Sequence, residues 1–434
     1  MKNTVLIIGA GAAGLMAAHT LSKAGKQVTV LEARDRTGGR IHTLSNTSFF
    51  DHTELGAEFI HGDLPVTLNL LKDAGLGYRS ADAEMWRYEH GRFEKNSMII
   101  DEWNLLMDRL NGVKQDINID AFLQKEFPAN DYRKLHDAVW SFVSGYDTAD
   151  PHDASVFALR KEWQNEDDNS QHRINGGYCN LINYMVTQCK ANNGRIFLNA
   201  VVKHISWKEG HDVKVTTIDE TVYEAEQLLI AMPLGVLKAG KQETGTITFE
   251  PEIAEYTEAI NKMGFGAVIK LLLEFKDSFW LDDKTQARAG SSNYKMGYLF
   301  SDEEIPTWWT QVPDNSKVLT GWIGGPAAKE KTDTPDEIVL EQGLQSLANI
   351  FNRDVSEIKN NMIAYRIMNW TADAFTRGSY AYDTVEAPEA RKVLNTPLAN
   401  TIFFTGEYLY EGTAMGTVEA ALTSGQDVAA KILA

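Results

Sequence analysis

The stretch Thr4 to Thr43 reads TVLIIGAGAAGLMAAHTLSKAGKQVTVLEARDRTGGRIHT, and it decides the fold. Val5 to Ile8 is a short apolar, β-branched run that stops at Gly9, and Leu15 to Leu21 resumes with apolar residues at helical spacing. The glycines therefore occupy a strand-to-helix turn. Gly9, Gly11 and Gly14 are spaced G-x-G-x-x-G: the first allows the tight turn, the second lets a pyrophosphate approach the backbone, and the third lets helix pack closely on strand. The N-terminus of the helix then faces the phosphates. A second strand, Gln27 to Leu31, ends at Glu32, where a carboxylate accepts hydrogen bonds from a ribose. Strand, turn, helix, strand and acid in register predict a dinucleotide site.

A second basic, glycine-rich turn follows at once, with Arg34, Gly38, Gly39 and Arg40. It suits a ligand that continues past the first loop. The run Glu32-Ala33-Arg34-Asp35-Arg36-Thr37-Gly38-Gly39-Arg40 resembles the E-A-R-x-R-x-G-G-R of the flavin-containing amine oxidase family. The resemblance implies FAD, with Ala13, Ala33, Arg34, Gly39 and Arg40 joining the glycines and Glu32 around it.

Composition sets the outer bounds. A chain of 434 residues with 43% hydrophobic content can bury a large core and divides into two or three domains. A net charge of −18 argues against nucleic acid or an anionic membrane as partner and favours cationic small molecules near the surface. No apolar run reaches the roughly 18 residues of a spanning helix, and the fingerprint begins close to Met1, so the expectation is a soluble cytoplasmic protein without a targeting segment. Cys179 and Cys189 are too few for a disulfide framework and fit no metal motif, so no metal is expected.

Further along, Asp51 to Gly62 reads DHTELGAEFIHG. In the family, the pair matching Gly56-Ala57 lies against the flavin and the residues after it, from Glu58, line the cavity. His61 resembles the histidine that polyamine oxidases place near the substrate amine; its other reading is a capping or hydrogen-bonding histidine. Phe59 stands where amino-acid oxidases of this fold carry an arginine for the substrate carboxylate.

Leu64 to Ala74, Ile99 to Leu110 and Asp131 to Tyr146 read as helices. The acidic cluster Glu162, Glu166, Asp167 and Asp168 around Trp163 reads either as carboxylates for the distal ammonium of a polyamine or, preferably, as a solvated loop. Short strands from Gly194 to Met232 return to the cofactor side, where the resemblance lays Val202 on the adenine.

Ala267 to Phe275, AVIKLLLEF, is an apolar strand with Lys270 in its middle. Burial disfavours the ammonium, so the lysine needs a specific partner; the resemblance gives it a water-mediated hydrogen bond to flavin N5. Trp308, Trp309 and Trp322 flank further strands and carry no assigned chemistry. WTADAFTRGSYAYD, from Trp370, resembles the family's W-x-x-D-x-x-x-x-G-S-Y, which makes Tyr380 a wall of the aromatic cage and sets Trp370 near the ring and its lysine. Ser379 replaces the cysteine that bonds the flavin in monoamine oxidases, so FAD is expected to be non-covalent. Near the end, the resemblance sets Gly406 and Glu407 at the ribityl and pyrophosphate region, Val418 as a backbone donor to the flavin pyrimidine, and Thr417 at the place of the second cage tyrosine.

The expected architecture is α/β: a Rossmann-type FAD-binding domain built from discontinuous segments, residues 1–78, 174–262 and 385–434, plus an α+β substrate domain with a mixed sheet and helices, residues 79–173 and 263–384. The implied activity is hydride transfer from the carbon beside an amine to N5, imine hydrolysis and reoxidation by O2 to H2O2, with a polyamine or other extended amine favoured by His61 and Thr417. An L-amino-acid oxidase with Arg160, Arg173 or Arg366 as carboxylate clamp, a carotenoid desaturase, and a non-catalytic flavin-binding protein are the alternatives. The oligomeric state is left open.

Overall fold

The computed structural model describes residues 3–45, 48–95, 102–165, 171–240, 243–291 and 294–434. β1 (Thr4–Ile8), α1 (Ala12–Lys23) and β2 (Gln27–Leu31) form a parallel βαβ unit. On its other side β1 pairs with Gln227–Ile230, which pairs with Ile402–Phe404, while β2 pairs with Arg195–Phe197, giving one five-stranded parallel sheet. Such a sheet is buried on both faces, so its strands read as unbroken apolar runs. Alternate residues of β1 serve different cores: Val5 and Ile7 pack with Leu15, Leu181 and Leu422 on the helical face, whereas Leu6 and Ile8 pack with Val202, Val215 and Tyr256 on the other. The far face is covered by a four-stranded sheet that includes Val202–Ser206.

A seven-stranded mixed sheet runs in the order Met362–Asn369, Val268–Phe275, Val318–Gly324, Thr307–Thr310, Tyr298–Ser301, Met85–Glu89, Arg92–Lys95. Ile269, Leu271, Leu273 and Phe275 share a core with the amphipathic helix Asp336–Phe351. The two-residue alternation sends Lys270, Leu272 and Glu274 to the opposite face. There they meet residues 50–58: Leu272 packs with Phe50 and Leu55, Glu274 accepts from the Phe50 amide at 2.7 Å, and Lys270 reaches Glu58. A small antiparallel sheet joins Ile60–His61, Gln171–Ile174 and Tyr78–Ser80, which brings Arg173 beside the Glu58 segment.

The helices Trp103–Gly112, Ile119–Glu126, Ala129–Gly145 and Val156–Asn165 make a separate core around Phe122, Leu135, Val139 and Trp163. The first was expected from Ile99, but residues 99–101 lie outside the described residues. The expected helix Asp131 to Tyr146 starts earlier, at Ala129, with Tyr132 out of helical geometry at φ −124°. One expectation is corrected: Glu162 does not sit on a loop but on the helix Val156–Asn165, whose buried stripe is Val156, Leu159 and Trp163. Glu166, Asp167 and Asp168 lie outside the described residues.

Candidate active site

The mouth of β1 holds the cradle. Gly9 has φ +105°, and a Cβ there would stand 2.6 Å from the Ala231 carbonyl oxygen. A Cβ on Gly14 would lie 2.1 Å from the Gly9 carbonyl oxygen and 3.0 Å from the Ala231 side chain, so this glycine seats α1 on the sheet. On Gly11 a Cβ would meet nothing within 4 Å. Gly11 faces open space that no protein atom fills, at an N-cap with no side-chain acceptor, which leaves the first N–H groups of α1 for an anion. Glu32 is buried and already oriented: its oxygens accept from the Ala10 amide at 2.7 Å and the Arg34 amide at 3.0 Å.

Other expected cofactor residues have side chains engaged within the protein. The Arg34 guanidinium makes two bonds to Asp373, at 2.6 and 2.9 Å, and one to Thr376, which fastens the second glycine turn to the segment after Trp370. Arg40 donates to Glu407 at 3.0 Å and to the Ser379 carbonyl, and Glu407 also accepts from the Ala381 amide. The Ser379 hydroxyl bonds Thr148 at 2.5 Å. Gly56 is crowded: a Cβ would fall 1.7 Å from the Arg40 carbonyl oxygen and 3.3 Å from the Trp370 ring, whose Nε1 donates to Leu55.

From this cradle a cavity of about 1360 Å³ extends past Ala13, Ala33, Gly39, Ala57, Val202 and Gly406 to Lys270, Tyr380 and His61. That exceeds the roughly 300–1,000 Å³ of a single small-molecule site, so it has room for a cofactor and a substrate together.

Lys270, 1% exposed, is the expensive group in this wall. Its partner is Glu58: Nζ lies 2.5 Å from Oε2 and donates also to the Gly56 carbonyl at 3.2 Å. Glu58 Oε1 accepts from Arg173 at 2.5 Å and from the Trp309 indole at 3.0 Å. Burial works to raise the Glu58 carboxyl, but Lys270 and Arg173 outweigh it and hold it below the usual carboxylate value. Glu58, expected among the residues around the cofactor, lines the cavity, and its side chain is the counter-ion of two buried cations.

The walls beyond Lys270 are aromatic. Phe59, Tyr298, Trp309 and Trp322 stand in a contiguous row, with ring centroids 5.8 to 6.3 Å apart along it. Trp309 and Trp322 carried no chemistry in the sequence reading, although their place next to the lysine-bearing strand was the available signal. The Tyr380 hydroxyl donates to the Tyr146 carbonyl, and burial raises this phenol so that it stays neutral. His61 opens on the cavity near Tyr146, yet burial pulls its pKa down to about 4, which makes it a neutral imidazole at ordinary pH. Thr417 is an N-cap: its hydroxyl accepts from the Ala420 amide at 3.2 Å and donates to the Ala414 carbonyl at 2.6 Å, and the closing helix starts at Val418. Glu162 also lines the cavity, with its carboxyl pushed up to about 6 by burial, against a hydrogen bond from Asp147.

The sequence profile described as "Flavin containing amine oxidoreductase" matches residues 12–433. The chain belongs to this family. Among its relatives, polyamine oxidase 2 of Arabidopsis thaliana is 27% identical over 99% of this chain and 89% of its own length. Lysine-specific histone demethylase 2 of Homo sapiens is 28% identical over all of this chain but 54% of its own length. A solved structure of putrescine oxidase bound to putrescine superposes with a TM-score of 0.80 at 21% identity, covering 100% of this chain and 99% of that one. That likeness shows the mixed α/β fold.

As a flavin-containing amine oxidoreductase, the enzyme uses FAD. The open face of Gly11, the uncapped N-terminus of α1 and the preset Glu32 carboxylate fit the pyrophosphate and ribose of such a dinucleotide. Among the described residues, no group of three or more His, Cys, Asp or Glu could hold a metal, and no helix is long and apolar enough to cross a membrane.

Proposed function

We propose that this amine oxidoreductase is an oxidase of extended, cationic amines such as polyamines, acting in the cytoplasm on free small molecules with O2 as acceptor. The observation that carries the reading is the charge pattern of the cavity. Its arginines are engaged, Arg34 with Asp373, Arg40 with Glu407, Arg87 with Asp302 and Arg391 with Asp383, while Asp147 and Glu162 line it as acids. A site of this kind favours a cation and offers no ready arginine to a substrate carboxylate. The clamps considered for an L-amino-acid oxidase are occupied or remote: Arg160 donates to the Leu110 and Val113 carbonyls, Arg173 holds Glu58, and Arg366 lies on the strand Met362–Asn369 outside the cavity lining.

Non-covalent FAD would lie with its pyrophosphate at Gly9, Gly11 and the start of α1, its ribose at Glu32, its adenine on Val202 and its ring between Gly56-Ala57 and the helix beginning at Val418. When bound, it supplies a hydride acceptor at N5 and returns the electrons to O2. The protein's own part is to position and to dry the substrate. The π-lined slot of Tyr380, Phe59, Trp309 and Trp322 disfavours an ammonium at the reacting end, so that end binds neutral, ready to lose hydride from the adjacent carbon. Asp147 and Glu162 receive the distal ammonium. Neutral His61 offers the amine an acceptor or a donor without charge, and Lys270 holds a positive charge where electron density gathers. The imine product hydrolyses in water.

The division into an FAD-binding and a substrate domain along the boundaries given above is supported by sheet membership, since the five-stranded parallel sheet draws on one set of segments and the seven-stranded sheet on the other. The small sheet of Ile60–His61, Gln171–Ile174 and Tyr78–Ser80 bridges the two sets.

Peroxide production tests the reading: purified enzyme with O2 is offered polyamines, aryl amines and L-amino acids. Turnover of polyamines above the other two is expected; preference for an L-amino acid would favour the carboxylate-binding alternative, and silence across the panel the non-catalytic one.

A further inference from the structure

The buried Lys270–Glu58 pair in the cavity wall has a third member, Arg173. One carboxylate, Glu58, stands between two cations, with Lys270 2.5 Å from one oxygen and Arg173 2.5 Å from the other. The Glu58 and Arg173 side chains are buried, as the lysine is. Arg173 is fixed further by Gln311 at 3.1 Å and the Thr310 carbonyl at 3.2 Å, and lies over the Phe59 ring at 4.5 Å.

We propose that Glu58 and Arg173 are positioning residues that keep Lys270 ion-paired with one N–H left for the cavity, so that it acts there as a fixed cation and donor. The proposal rests on the reading of this cavity as the flavin site. A lysine has three donors; two go to Gly56 and Glu58, and the third is left for the cavity that Lys270 lines. In a dry site a lone lysine–glutamate pair can neutralise itself by passing the proton across. Arg173 prevents this, because a guanidinium does not deprotonate and its charge keeps Glu58 ionised. Take Glu58 away and two cations remain with no counter-charge between them. Only Lys270 can then lose its proton, since a buried unpaired lysine falls by up to about 3–5 pK units.

The other groups facing Lys270 do not replace Glu58. Glu54 is bonded to Thr43 and the Tyr178 amide and is half-protonated near neutrality, its pKa raised to about 7 by burial. Tyr298 is held neutral by burial. The neighbouring strands present Trp309, Trp322 and Met368, which do not titrate.

The test uses FAD-loaded enzyme reduced with dithionite, so that no amine is needed, and mixed with O2 between pH 6 and pH 9. With Glu54→Gln present throughout, to remove the other carboxyl that ionises in this range, the reoxidation rate constant with Glu58 intact should be flat. In Glu58→Gln it should fall about tenfold or more along a single ionisation, whereas damage to packing would lower it equally at every pH. On a Lys270→Met background, Glu58→Gln should change nothing further. A second readout needs no turnover. In Glu58→Gln the folded state binds fewer protons at Lys270 than the unfolded state does, so the gap in urea midpoint from wild type should narrow as pH rises from 7 to 10. If Glu58→Gln fails to fold, Glu58→Gln/Arg173→Met, which removes one charge of each sign, should show the same fall in reoxidation with pH. A flat Glu58→Gln profile with a constant urea gap, or a further loss in the Lys270→Met background, overturns the proposal. Failure of every amine to reduce the wild-type flavin would sink the substrate reading and leave both of these readouts standing.

Discussion

Arg40 and Glu407 are separated by 367 positions in the chain and by 3.0 Å in the fold. The ion pair ties the second glycine turn to the strand that ends at Phe404, so the cradle opened by the first residues is closed by the last. Glu407 is buried, and it also holds the Ala381 amide.

Removing that carboxylate leaves Arg40, beside the proposed FAD site, bonded to the Ser379 carbonyl but without its counter-ion. Glu407→Gln is expected to weaken FAD binding about tenfold, corresponding to the ~1–3 kcal/mol of a charge-assisted hydrogen bond. Titration of the FAD-free protein with FAD, followed by flavin fluorescence, measures this; an unchanged dissociation constant would remove Arg40 and Glu407 from the account.

Two glycines of one motif should behave in opposite ways. Gly14→Ala forces a Cβ to 2.1 Å from the Gly9 carbonyl, and a clash of this kind costs about 1–3 kcal/mol. Gly11→Ala meets no protein atom within 4 Å and has φ −76°, which alanine adopts freely. Its methyl occupies only the space assigned to the pyrophosphate. Thermal melts without FAD should show Gly14→Ala lowered and Gly11→Ala unchanged, while FAD affinity falls in Gly11→Ala. Equal melting points for the two would contradict the assignment.

Local chemistry made these glycines legible in the sequence, because a strand, a turn and a helix within forty residues announce themselves through spacing. Lys270 was legible for a related reason: a charge within AVIKLLLEF demands a partner. The identity of that partner was not. Strand alternation says which residues share a face, and only the tertiary fold lays Glu58 and Arg173 on that face, 115 positions apart from each other. Trp309 and Trp322 were hidden in the same way, since an aromatic residue in a strand looks alike whether it fills a core or lines a cavity. Glu162 was misread because neighbouring acids suggested a solvated loop, while the apolar spacing of Val156, Leu159 and Trp163 was the signal for a helix. Thr417 lines the cavity, but its capping bond to Ala420 lay outside what the family pattern conveys.

Acid–base linkage gives a further test at Glu54, which is buried and has its pKa raised to about 7, first by burial, against hydrogen bonds from Tyr178 and Thr43. A carboxyl with a raised folded value contributes stability that is full below its unfolded pKa and lost as pH rises through about 7. Glu54→Gln removes that loss. Relative to wild type, the variant should gain on the order of 3 kcal/mol between pH 4.5 and pH 8 in urea unfolding. A constant difference across this range would mean that Glu54 titrates normally.

Lys270→Met should keep FAD bound, because the lysine's direct partners are Glu58 and Gly56. It is expected to slow flavin reduction or reoxidation about tenfold or more, the order of a lost electrostatic contact in a dry site. Half-reactions followed separately by stopped-flow absorbance decide the matter; unchanged rates in both would refute the role given to the lysine.

The proposed function requires this cavity to take hydride from an extended amine. Its most direct measurement is anaerobic mixing of the FAD-loaded enzyme with a polyamine while the oxidised flavin absorbance is followed. Bleaching in a single turnover is expected, saturable in amine concentration and reversed to the yellow form by O2. A flavin that bleaches with dithionite but stays oxidised with polyamines, diamines and aryl amines alike would contradict it.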